Sequence, residues 1–161
     1  MNRVFLILIF VLIFIGCGDN TSEIESKHIP GISPSDIYLN FEKKGYNTQK
    51  NIASDGSFWI NEKRDNGMYY YIRTYCADGV SNVDAIRLSV TREYPQYNKV
   101  NDMKPFLKYG CSIPYDGSDY NSVLKFIDNN FNNDKADTVI SDVKFTIYAP
   151  TKFSRVISIE K

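Results

Sequence analysis

Asp65-Asn66-Gly67 separates two runs, Phe58 to Lys63 and Met68 to Cys76, that are rich in aromatic and β-branched side chains. Asn-Gly readily supplies the two positive-φ residues of a two-residue turn, so the stretch reads as an antiparallel hairpin. Val83 to Tyr94 continues the pattern, alternating Ile86, Leu88 and Val90 with Arg87, Ser89 and Thr91. That alternation fits a neighbouring strand with one buried and one open face. A hairpin is marginal by itself, so its apolar face must be covered by other elements.

Helices are the natural cover. Ser33-Pro34-Ser35-Asp36 is a helix start in which Ser33 caps, Pro34 takes the first turn and Asp36 closes a capping box, and Lys43-Lys44-Gly45 is the matching stop. Asp119 to Phe131 carries Val123, Leu124, Phe126, Ile127 and Phe131 as an apolar stripe. A short helix near Asp102 to Tyr109, ended by Gly110, is expected in the segment between them. Val143, Phe145 and Ile147 form another alternating strand, Ile157 and Ile159 belong to a last one, and YNTQKNIA (46–53) fits an edge strand. No internal repeat is evident. The order predicts an α+β fold: a single antiparallel β-sheet of five or six strands with two main helices packed on one face.

With 43% hydrophobic residues in 161, the chain has material for one core. Lys+Arg and Asp+Glu are both 19, so no overall field points to nucleic acid.

The N-terminus gives an address. Met1 to Arg3 is positive, Val4 to Ile15 is unbroken and apolar, and small residues follow at Gly16 and Gly18. This is the layout of a secretory signal; twelve residues of helix rise only about 18 Å, too short for a permanent span. Phe14-Ile15-Gly16-Cys17 resembles the lipobox of bacterial lipoproteins. The resemblance covers about the first 18 residues and implies cleavage before Cys17 by signal peptidase II, with acyl chains carried on Cys17. A secreted chain cut by a general signal peptidase is the alternative. The resulting division is 1–16 signal peptide, 17–32 lipidated Cys17 and flexible tether, and 33–161 a single globular domain, held by lipid on the exported side of an envelope membrane. With Cys17 assigned to lipid, Cys76 and Cys111 remain as a pair in an oxidising compartment, and a disulfide is expected; two buried free thiols are the alternative.

Chemistry is less legible. His28 is the one histidine and lies in the tether, read as a surface residue, so no Ser-His or Cys-His arrangement can be assembled in the domain. There is no Gly-rich phosphate loop, and no carboxylate pair stands out. Asp128-x-Asn130-x-Asn132 begins like a calcium loop, but Asn133 replaces the needed Gly and Val139 the bidentate Glu. No catalytic residue, metal or cofactor is therefore expected. The most suggestive surface is Tyr69, Tyr71, Arg73 and Tyr75, which share one face of a strand and are joined by Tyr148, Arg87 and Lys144. Tyr and Arg dominate protein-binding hot spots, and Tyr also stacks on sugars. Ordinary strand residues covered by loops are the alternative. The expectation is a non-enzymatic interaction domain beside the membrane, with an envelope protein or glycan as partner: an inhibitor, an immunity or exclusion factor, or an assembly accessory. A small hydrolase acting on glycan or peptide through carboxylates, and a structural surface protein, are the alternatives.

Overall fold

In the computed structural model, which describes residues 27–161 apart from positions 55, 80, 95, 97 and 98, seven strands form one sheet. They are β1 (Asn47–Ala53), β2 (Gly56–Asp65), β3 (Met68–Cys76), β4 (Ala85–Arg92), β5 (Lys135–Ile140), β6 (Val143–Tyr148) and β7 (Ser154–Glu160). The order is β1-β2-β3-β4-β7-β6-β5, antiparallel at every step. Helices α1 (Pro34–Glu42), α2 (Lys104–Gly110, led by a 3₁₀ turn at Val100–Met103) and α3 (Tyr120–Asn130) pack on one face. The fold is therefore α+β with a single antiparallel sheet, larger than the five or six strands expected, and the short helix expected near Asp102 to Tyr109 joins the two main helices as α2.

Local chemistry accounts for most of these elements. The turn between β2 and β3 is Asn66 (φ 49) and Gly67 (φ 73), the left-handed pair that the hairpin needs. At the start of α1, the Ser33 hydroxyl accepts from the Asp36 N–H at 3.4 Å and the Asp36 carboxylate accepts from the Ser33 N–H at 2.8 Å. The Ser33 hydroxyl also donates to that carboxylate at 2.6 Å, and this bond, then the Ser33 N–H, holds the Asp36 carboxyl below the usual carboxylate range. Asp119 caps α3 through the Ser122 N–H at 3.0 Å.

The strand that the pattern does not reveal is β5. It lies at the sheet edge with few buried side chains, and its turn into β6 is Ser141 (φ 50) and Asp142 (φ 61), with no glycine to mark it.

The core lies between helices and sheet: Ile37 and Phe41 of α1, Leu107 of α2, and Val123 and Ile127 of α3 meet Ile72, Leu88, Val90, Phe145, Ile147 and Ile157. Gly110 allows the closest approach, because a Cβ there would stand 2.6 Å from both methyls of Leu88.

Two expectations are corrected. Cys76 and Cys111 are free and buried, so the expected disulfide is not present. Each thiol is filed in the core by its own element, Cys76 by the end of β3 and Cys111 by the residue that closes α2. Burial pushes the Cys76 thiol up to about 11, helped by Asp78 and Asp84, and burial alone raises Cys111. Neither is a ready thiolate at neutral pH. A colorimetric thiol assay of the full chain should therefore find both residues silent in the native state and reactive after unfolding; silence in denaturant would show the pair to be oxidised.

The second correction concerns the tether. Residues 1–26, on which the expected signal peptide and lipidated Cys17 fall, lie outside the described residues, but residues 28–32 belong to the domain. Ile29 and Ile32 are core residues, the Ile29 N–H donates to the Val83 carbonyl at 2.8 Å, and Asp116 donates to the Pro30 carbonyl at 3.0 Å. His28 stays about a third exposed, as a surface residue, and is paired with the domain: its Nδ1 lies 2.6 Å from Asp84 Oδ1. Two isoleucines in a polar stretch carry too little periodicity to announce this docking. Among the described residues no helix is long and apolar enough to cross a membrane.

Candidate binding groove

Helices cover one face of the sheet and leave the other open. Its residues follow from the pleat, because Ile72, Thr74 and Cys76 turn inward and send Tyr69, Tyr71, Arg73 and Tyr75 outward. Tyr148 is on the same side, since the register runs Tyr71, Ser89, Val156, Tyr148 straight across β3, β4, β7 and β6. All five tyrosine and arginine candidates thus share one surface, with Arg87 and Lys144.

The register also shows a shape. On the open side the two central strands carry mostly small residues: Ala85, Ser89 and Thr91 on β4, and Ser154, Val156 and Ser158 on β7. Larger side chains stand on either flank, Tyr69, Tyr71 and Tyr75 on β3 and Lys144 and Tyr148 on β6. The result is a trough along the middle of the sheet. Val156 on its floor is only 2% exposed although no helix lies above it. Two shallow cavities follow the trough end to end, of about 360 Å³ beside Tyr69, Tyr71, Ser89 and Thr91 and about 220 Å³ beside Tyr75, Ala85, Ser158 and Glu160. Arg73 and Arg87 line both.

Electrostatics along the trough are uneven. The Tyr69 hydroxyl donates to Glu62 at 2.7 Å, and burial, then that carboxylate, pushes its pKa up to about 12. Arg64 lies over the Tyr69 ring at 4.2 Å and donates to Glu93 at 3.1 Å. Lys144 stands 3.7 Å from Glu160. Arg73 and Arg87 are directly paired across β3 and β4. Neither lies within ion-pair distance of a carboxylate among the described residues. Each instead rests on an aromatic ring, Arg73 on Phe58 at 4.1 Å and Arg87 over Tyr148 at 5.8 Å.

Comparison with known proteins adds no relative. No protein family model, curated protein or solved structure matches the chain.

A second concavity, about 350 Å³, opens on the helix side between Tyr46, Tyr70, Phe106 and Tyr109, with Asp65 and Asp102 at its rim. Its ring faces are already capped by the chain's own ammonium groups, Lys63 over Tyr46 at 5.7 Å and Lys44 over Tyr109 at 5.3 Å. Burial and the neighbouring tyrosines hold the Tyr46 hydroxyl firmly protonated. Asp128, first residue of the calcium-like segment, accepts from Lys108 at 2.7 Å with Lys104 at 3.5 Å. Among the described residues no group of three or more His, Cys, Asp or Glu side chains is arranged to hold a metal.

Several residues of the trough are not singled out by the sequence. Phe58 and Val156 look like ordinary core residues, and Glu62 and Ser158 look like solvent-facing filler. Only the register shows that Phe58 carries Arg73 and that Val156 forms a floor.

Proposed function

We propose that this chain is a lipid-anchored protein of a bacterial cell envelope whose domain binds a partner through the open sheet face and performs no reaction there. The supporting observation is the trough itself: tyrosines along a small-residue floor, with two arginines unmatched by acid among the described residues, on the face that the helices leave free. Tyr and Arg give large contact area and fixed donors at low entropic cost, which is the chemistry of a recognition surface. Inhibition, immunity or exclusion, and assembly remain equal roles for such a domain.

The anchor rests on Phe14-Ile15-Gly16-Cys17 and defines where the face works. With His28 docked, the ten residues from Gly18 to Lys27 link anchor and domain and span at most about 35 Å. A partner would therefore be met close to the membrane surface.

Two measurements test the proposal. Intact mass of the mature chain should show Cys17 as first residue with acyl chains attached, and Cys17→Ala should move the chain from membrane to soluble fractions. A mature chain starting at Asp19 without lipid would refute the anchor. A photo-reactive side chain at Ser89, on the trough floor, should give a discrete cross-linked product in the native envelope, whereas the same group at Leu39 on α1 should not. Equal or absent cross-linking at both positions would refute the face.

A further inference from the structure

We propose that the trough takes an extended acidic segment of a protein partner, with its carboxylates held by Arg73 and Arg87. This rests on the reading of the open face as an interaction surface and names the chemistry of what it binds.

Like charges opposite one another on adjacent strands repel, and a folded chain ordinarily relieves them with neighbouring carboxylates. Here the neighbouring acids are engaged elsewhere: Glu160 with Lys144, Glu93 with Arg64, and Glu62 as acceptor of the Tyr69 hydroxyl. Asp137 stands on the same face but on the edge strand β5, in line with Thr146 and Ser158 on the far side of the trough. The two guanidinium groups are drawn apart by their rings, Arg73 toward Phe58 on β2 and Arg87 toward Tyr148 on β6. They are thus braced on either side of the β3–β4 seam. A guanidinium held in this way offers a planar fork of donors to a carboxylate with little further loss of freedom.

A peptide fits better than a sugar. Sugars bind by laying a ring on an exposed aromatic face, and on this surface the faces of Tyr69, Phe58 and Tyr148 are covered by Arg64, Arg73 and Arg87. Tyr71 in turn packs at a tilt against Tyr69, ring centroids 6.2 Å apart. From Ala85 to Thr91 the floor runs six residue steps, about 20 Å, the length of a short extended segment. Both β4 and β7 are paired on each side, so an incoming strand cannot join the backbone ladder. Recognition therefore falls to side chains, and the unmatched charges there are positive.

Fluorescence anisotropy with labelled poly-L-glutamate and the full chain in detergent tests the proposal, with polygalacturonate as the glycan probe. Binding should weaken as salt rises, and Arg73→Gln/Arg87→Gln should lower affinity about tenfold or more. Arg64→Gln, which removes a guanidinium already paired with Glu93, should change it less than about threefold. Thermal melts of the variants establish that they are folded. No binding by the wild type, equal binding by the double variant, or tighter binding of polygalacturonate would each overturn the proposal. Cross-linking from Ser89 separates the two levels: if it persists while the arginine variants bind normally, the face stands and the acidic ligand falls. If it is absent, the face itself falls.

Discussion

Phe41→Ala is expected to destabilise the domain by about 3–5 kcal/mol, a large part of the roughly 5–15 kcal/mol that holds a typical domain together. Phe41 is completely buried and is the hub of an aromatic cluster, with ring centroids 5.1 Å from Tyr46, 6.2 Å from Phe106 and 5.4 Å from Tyr109. Those partners come from the loop before β1 and from α2, so a single ring joins two further segments to α1. The site cannot collapse easily, because Tyr109 is fixed from outside by its hydroxyl bond to the Asn40 carbonyl at 3.0 Å. The cost should therefore fall near the top of the range. Calorimetry should show the melting temperature lowered by roughly 10–20 °C. A loss below about 1 kcal/mol would mean that the cluster adds little to stability.

Arg155→Met is expected to cost about 2–3 kcal/mol, although methionine fills similar space and is more apolar. Arg155 is buried on β7, where Nε donates to the Phe131 carbonyl and Nη1 to the Ser154 carbonyl, both at 2.8 Å. Phe131 closes α3, so the guanidinium is a charged cap on that helix terminus, where positive charge is favoured. Burial, then the charge of Arg92, lowers the Arg155 pKa, so the residue bears a desolvation cost that its hydrogen bonds offset. Methionine removes that cost together with the donors and leaves the carbonyls unmatched. Chemical denaturation measures the difference. A variant as stable as wild type would show that the carbonyls find other partners, and Arg155→Lys should restore only part of the loss because one ammonium cannot reproduce the fork.

How much of this was legible beforehand depends on whether a residue's role is local. The β2–β3 hairpin, the Ser33 capping box and the two faces of β3 follow from neighbours within a few positions, and pattern alone places them. What pattern misses is set by distant partners. The strand β5 looks polar because it is an edge, and Ile29 and Pro30 look like linker because their hydrogen-bond partners, Val83 and Asp116, lie more than fifty residues away. Cys76 and Cys111 illustrate the converse: counting made a pair, while packing gave each thiol its own place. For the trough, Tyr69, Tyr71, Arg73 and Tyr75 were visible as one strand face, but the floor of Ser89 and Val156 needs the crossing from β4 to β7. Arg155 is the clearest case of concealment, since an arginine in a strand reads as solvent-facing until its partner at the end of α3 is known.

The strand order has a consequence for how the chain becomes a domain. β1 to β4 form a meander of neighbours, but β4 finds its other partner only in β7, with Ala85 opposite Glu160. The middle of the finished sheet is therefore completed by the last of the seven described strands to be synthesised. Until Ser154 to Glu160 emerges, β4 and β6 are open edges and the apolar residues of both halves lack their shared seam. Under the export proposed for this chain, a sheet that closes only on the arrival of β7 favours an open precursor during its passage.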